Sequence, residues 1–177
     1  MKKLIILFFI ISSVNITAQT MGEWTWMKGP NTPYSLGVFG IKGVPDTANY
    51  PPALYEACSW TDTAGNFWLF GGVYNNNTQW STYLYNSLWR FTPQNNTWTW
   101  ISGSNIPNDM GNFGIKGVPS STNSPPARGY GAMAWKDNNN NLWLYGGFTY
   151  IGSVPVTDVS QDLWKYDISL NYSTPQC

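Results

Sequence analysis

The chain contains no histidine. This excludes Ser-His-Asp and Cys-His nucleophile systems, and it removes the usual ligand for zinc and copper. Charge is scarce as well: nine basic and nine acidic residues make up 10% of the 177 residues and cancel exactly in sign. Such a surface offers no electrostatic attraction to nucleic acid or to anionic lipid, so a nucleic-acid partner is not expected. The carboxylates are too sparse to suggest a catalytic pair, and no calcium loop, phosphate loop or nucleotide fingerprint occurs, so neither a cofactor nor a metal is expected. There are two cysteines, Cys58 in an expected strand and Cys177 at the end. Pairing between them and a buried free Cys58 are both open readings. After residue 18 no segment is long and apolar enough to span a membrane.

Aromatic residues are abundant, at 17% of the chain with 11 Trp and 11 Tyr, among many Asn, Gly and Pro. That much apolar surface argues against disorder, and the mixture suits short strands joined by turns. The first 18 residues differ from the rest. Lys2 and Lys3 precede the apolar run Leu4 to Ile11, followed by small and polar residues up to Ala18. The run is shorter than the roughly 20 residues of a spanning helix, so residues 1–18 read as a signal peptide, with an uncleaved anchor as the alternative. Export to the cell surface or the medium follows.

The remainder is a tandem repeat. Trp24-Thr25-Trp26 recurs as Trp98-Thr99-Trp100, Gly37 to Pro45 as Gly111 to Pro119, and Pro51-Pro52-Ala53 as Pro125-Pro126-Ala127, all at an offset of 74. Beyond Ala127 the offset is 75: Phe67 to Gly72 matches Leu142 to Gly147, and Leu88-Trp89-Arg90-Phe91 matches Leu163-Trp164-Lys165-Tyr166. Four short strands per copy are expected, in the second copy near Thr97–Ser102, Gly129–Trp135, Leu142–Gly146 and Leu163–Tyr166. The two indoles of Trp98-Thr99-Trp100 should share a face. Leu142 to Tyr145 lacks alternation, which suggests burial on both faces. Asp62 and Asp137 stand at corresponding turn positions and read as turn formers.

These residues resemble the kelch family. The likeness rests on the double glycines Gly71-Gly72 and Gly146-Gly147, on the strands around Trp89 and Trp164, the latter closing toward Asp167, and on Trp98 after a polar turn. It implies an all-β fold of two four-stranded antiparallel propeller blades, residues 19–96 and 97–177, of the long-repeat bacterial type related in fold to the galactose oxidase propeller domain. The copper chemistry of that enzyme does not carry over, because the histidines are absent. Two features depart from the pattern. Leu54 or Tyr55 stands near the place of Arg128, and no Trp-Thr-Trp follows Asp167, so the last strand of the second blade is expected to be missing or atypical. Closed propellers have 4 to 8 blades. The chain is therefore read as a fragment of a larger protein, as a subunit that closes a ring by homo-oligomerisation, or as a two-blade unit standing alone.

The function implied is a non-enzymatic binding or adhesion module for a protein or carbohydrate ligand. The alternative is part of a larger protein whose activity lies elsewhere. The loop that differs most between copies, Val73 to Asn86, carries Tyr74, Trp80, Tyr83 and Tyr85 beside Asn75, Asn76 and Asn77. Such rings and amides can hold a sugar, or they can pack on the scaffold. Lys42 and Lys116, in the repeated Phe-Gly-Ile-Lys-Gly-Val-Pro segment, read as solvated loop tips or as contacts for an anion.

Overall fold

A computed structural model describes residues 22–77, 82–150 and 157–176. The expected signal peptide (residues 1–18), Trp80 and Cys177 lie outside the described residues. Every regular element is a strand, and all pairing is antiparallel. Among the described residues no helix is long and apolar enough to cross a membrane.

Fourteen strands form among the described residues rather than four per copy, in two sets of seven that divide after Ser102, inside the expected second blade. The first gives β1 (Leu54–Tyr55), β2 (Cys58–Thr61), β3 (Phe67–Phe70), β4 (Val73–Asn75), β5 (Thr82–Leu84), β6 (Leu88–Thr92) and β7 (Thr97–Ser102). The second gives β8 (Arg128–Gly129), β9 (Met133–Lys136), β10 (Leu142–Tyr145), β11 (Phe148–Tyr150), β12 (Thr157–Val159), β13 (Leu163–Asp167) and β14 (Tyr172–Pro175). They form two four-stranded sheets, β2-β3-β6-β7 and β9-β10-β13-β14, and two three-stranded sheets, β1-β4-β5 and β8-β11-β12. No sheet closes on itself.

The single strand expected over Gly129–Trp135 is in fact two strands in two different sheets. The backbone is the cause: Tyr130 (φ 33°) and Gly131 (φ 74°) take left-handed conformations that turn the chain out of one sheet and into the other. Glu56 (φ 54°) makes the same break between β1 and β2. The Trp-Thr-Trp strand β7 pairs with β6, so it closes the first four-stranded sheet, although the repeat numbering starts the second copy there. Its counterpart β14 closes the second sheet without any Trp, pairing Trp164 with Pro175 and Tyr166 with Ser173. Main-chain groups make a ladder, so a strand needs no particular side chain to be present.

The core lies between the two four-stranded sheets. Cys58, Trp60, Trp68, Phe70 and Leu88 of the first pack against Leu142, Leu144, Trp164 and Tyr166 of the second. Each such side chain gains about 1.5–3 kcal/mol by leaving water. Because the sheets face each other, aligned residues exchange roles: β3 buries Trp68 and Phe70, whereas β10 buries Leu142 and Leu144. Burial on both faces of Leu142–Tyr145 does not hold, since Trp143 and Tyr145 stay half-exposed. Trp98 and Trp100 share a face, as expected, with Thr99 buried on the other.

The Asp turns explain themselves locally. Asp62 accepts from the backbone N–H of Ala64 and Asn66, each at 2.9 Å, and from the Trp68 indole at 2.8 Å. Asp137 repeats this with Asn139, Asn141 and Trp143, all at 2.9 Å. One short side chain thus sets the turn and orients the indole on the next strand. The Phe-Gly-Ile-Lys-Gly-Val-Pro segments have a defined place too. Gly43 N–H donates to the Trp100 carbonyl of β7, and Gly117 N–H to the Pro175 carbonyl of β14, both at 2.7 Å. Buried Asn49 and Asn123 add side-chain bonds to the Trp98 and Ser173 carbonyls at 3.3 and 3.0 Å. Each loop therefore clasps the outer strand of its own sheet.

Candidate functional site

Of the places among the described residues where polar or aromatic side chains gather, two involve the residues singled out above. The first is the junction between the copies, where the double glycine of the first meets Arg128. Gly72 N–H donates to the Arg128 carbonyl at 2.8 Å, and Arg128 N–H donates to the Tyr85 carbonyl at 3.1 Å. Gly71 has φ +66°, and a Cβ there would sit 2.7 Å from the Arg128 carbonyl oxygen. Only glycine combines that conformation with so close an approach.

The Arg128 side chain turns back into its own copy. It is 1% exposed. Its two terminal nitrogens donate to the two oxygens of Asp162, both at 2.7 Å, and one also reaches the Gly146 carbonyl at 2.9 Å. Asp162 further accepts from the Trp164 indole at 2.6 Å and from the Ser160 hydroxyl. Burial pushes the Asp162 carboxyl up, but the hydrogen bonds and charge of Arg128 outweigh it, and the net shift is down. In the first copy Leu54 takes the register position of Arg128, and Ser87 takes that of Asp162. There the Trp89 indole donates to the Ser87 hydroxyl at 3.1 Å. Both charges are absent together, so neither copy buries an unpaired one. The cluster is buried and its polar atoms are paired with one another, which marks it as structural.

The second place is a groove of about 540 Å³ on the first copy, lined by Leu36, Phe39, Tyr74, Tyr83, Tyr85 and Ile106 together with Asn76, Asn105 and Pro107. It brings together three of the four aromatic residues singled out from the sequence. Their roles differ. Tyr74 and Tyr85 are buried and form the floor, and the Tyr74 hydroxyl donates to the Tyr34 carbonyl at 3.0 Å. Phe39 packs on Tyr85 with ring centres 6.2 Å apart. Tyr83 is half-exposed, and Leu36 and Ile106 are open to solvent. Burial raises the pKa of the Tyr85 hydroxyl, with a smaller contribution from Tyr74, so it stays a neutral donor at any physiological pH.

Among the described residues the second copy does not repeat these tyrosines. Thr149, Asp158 and Ser160 stand where the first copy has Tyr74, Tyr83 and Tyr85, on strands of the same pairing. The scaffold therefore does not require these tyrosines. Leu36, Phe39 and Ile106 were not foreseen as wall residues, because they come from segments distant in sequence. The cavity between the four-stranded sheets, about 30 Å³ and lined mostly by apolar side chains, is too small for a ligand.

Lys42 is not a free loop tip. Its ammonium donates to the Gly103 carbonyl at 2.7 Å and lies 4.4 Å from the centre of the Trp100 ring. Partial burial lowers its pKa, against an opposing pull from Asp109. At the same place in the second copy Pro175 replaces Trp100, and Lys116 is exposed. Cys58 carries a free, buried thiol, raised to about 11 by burial. Among the described residues no three His, Cys, Asp or Glu gather in a metal-binding group. No protein-family profile matches the chain, and no curated protein matches it significantly.

Proposed function

We propose that the chain is an exported, non-enzymatic binding module built from two kelch-like propeller blades, and that the groove of the first blade holds a neutral, extended saccharide. The blade reading is supported by the double glycine Gly71-Gly72 at the junction between copies and by the two four-stranded antiparallel sheets. Export is supported by the Lys2-Lys3 and Leu4 to Ile11 segment.

One observation carries the binding reading: Tyr74, Tyr83 and Tyr85 line a groove in one copy, while Thr149, Asp158 and Ser160 stand at the same positions of the equivalently paired strands in the other. Its volume lies within the ordinary range for small-ligand sites. Tyr83 supplies an aromatic face, and Asn76 and Asn105 supply amides at the rim. Among the described residues the lining holds no charged side chain, which suits a neutral sugar better than an ionic ligand. A glycan array probed with the purified protein tests this. Binding to a defined glycan is expected, weakened about tenfold in Tyr83→Ala, as for loss of one stacking partner of about 1–1.5 kcal/mol. Failure to bind any glycan, or equal binding by the variant, overturns it.

A further inference from the structure

The two four-stranded sheets present corresponding faces, and among the described residues only one of these is covered by another sheet. In the first sheet this face carries Cys58, Trp60, Trp68, Phe70 and Leu88, all buried against the second sheet. In the second sheet the aligned positions are Met133, Trp135, Trp143, Tyr145 and Leu163. Met133 is 56% exposed where Cys58 is 8%, and Trp135 is 43% exposed where Trp60 is 8%. In the second sheet Met133 and Trp135 are thus exposed and Trp143, Tyr145 and Leu163 half-buried, in the position that the first sheet uses to bind its neighbour.

The main chain tells the same story. In the first copy the Gly72 N–H and the Tyr85 carbonyl are occupied by Arg128 of the second. Gly147 and Ser160 reproduce that pair, with Ser160 N–H donating to the Gly147 carbonyl at 2.9 Å as Tyr85 N–H does to Gly72 at 3.0 Å. The outward Gly147 N–H and Ser160 carbonyl have no partner among the described residues.

The chain also carries the matching filler. Leu142, Leu144 and Tyr166 are among the side chains that cover the first sheet. Their aligned residues Phe67, Leu69 and Phe91 belong to the opposite face of the first sheet, where Phe67 is 49% exposed, Leu69 is half-buried, and Phe91 is already buried beside Phe67 and Trp98, so Phe67 offers most of the free apolar surface. The net charge is zero, so copies do not repel. We infer that the uncovered face of the second sheet docks the Phe67–Leu69–Phe91 face of a second copy of this chain, head to tail. The Leu54 peptide group then lies between Gly147 and Ser160, as Arg128 does between Gly72 and Tyr85. The fit differs at one corner: Tyr55 stands where Gly129 approaches Val73, and a Cβ on Gly129 would lie 2.5 Å from Val73. The docked sheets must sit further apart there. The contact is heterologous, since the two surfaces joined are different.

Sedimentation velocity on the purified protein and two variants tests the inference, independently of any glycan. Trp135→Lys damages only the docking face and Phe67→Lys only the filler face, and both side chains are exposed in the single chain. The wild type should associate with rising concentration, its mean mass at least about doubling. Each variant alone should stay monomeric, and an equimolar mixture should form a dimer, because each retains the surface the other lacks. Met133→Lys and Ser59→Lys serve the same purpose if circular dichroism shows either first variant to be misfolded. A wild type that remains monomeric at every concentration overturns the inference, which then points to a different occupant of the face. Variants that associate like the wild type, or a mixture that stays monomeric, overturn it equally.

Discussion

Arg128 and Asp162 form a two-pronged, buried ion pair, with both contacts at 2.7 Å, at positions where the first copy has Leu54 and Ser87. The residues are 34 apart in sequence, and the pair closes the second copy against its own double glycine through the Gly146 carbonyl.

Removing one partner strands the other in a site without water. Arg128→Leu is expected to cost about 3–5 kcal/mol in denaturant unfolding. The double variant Arg128→Leu/Asp162→Ser copies the first copy's solution, in which a serine hydroxyl accepts from the tryptophan indole. It should be more stable than either single variant. Additive losses in the double-mutant cycle would show that the two residues are not coupled in this way.

Acid should erode stability through the turn aspartates. Hydrogen bonds from the Asn141 amide and the Trp143 indole hold the Asp137 carboxyl down to about 2. A carboxyl with a depressed folded pKa contributes stability above its unfolded value of about 3.9, and that contribution is lost as pH falls toward the folded value. The protein should therefore hold its stability from neutrality to about pH 5 and lose it between about pH 4 and 2. A carboxyl-carbon NMR titration of Asp137 with its midpoint at the ordinary value would contradict this.

Gly71 and Gly146 share a left-handed backbone, at φ +66° and +67°, but not the same surroundings. A Cβ on Gly71 meets the Arg128 carbonyl oxygen at 2.7 Å, while one on Gly146 meets nothing closer than the Ser160 carbonyl at 3.4 Å. Gly146→Ala should cost about 1–2 kcal/mol for conformation alone. Gly71→Ala should cost roughly 1–3 kcal/mol more, because the junction between copies must open. Equal losses in thermal unfolding would refute the difference.

The Cys58 thiol should resist alkylation. It is buried and its pKa is raised to about 11, so little thiolate forms near neutrality. Peptide mapping by mass spectrometry should find iodoacetamide at Cys58 only after denaturant is added. Rapid labelling of the native protein would show that the sheets separate readily.

The parts of the fold that could be read from the sequence are those in which a residue carries its own structural instruction. Asp62 and Asp137 define turns by bonding to their near neighbours, and the indoles of Trp98-Thr99-Trp100 share a face because strands alternate. Features made by the main chain or across distance were not legible. Strand β14 has none of the aromatic residues of β7, yet it pairs fully. The breaks at Glu56 and at Tyr130-Gly131 depend on dihedral angles that those residue types do not announce, and the two three-stranded sheets follow from them. The groove was legible in Tyr74, Tyr83 and Tyr85, but its walls come from loops more than twenty residues away, and Tyr74 and Tyr85 proved to be its floor. Asp162 stood without a partner in the sequence, because nothing local links it to Arg128.

The loop clasps on β7 and β14 have a consequence for how this protein can grow. Each outer strand already spends main-chain groups on a loop of its own copy, through Gly43 and Asn49 in one and Gly117 and Asn123 in the other. A foreign strand arriving at either border finds those carbonyls taken, so extension of a sheet sideways, the usual route to amyloid-like stacking, is blocked there. The broad aromatic side of the second sheet carries no such clasp among the described residues. The docking inferred above uses that side and would stack sheets in one direction.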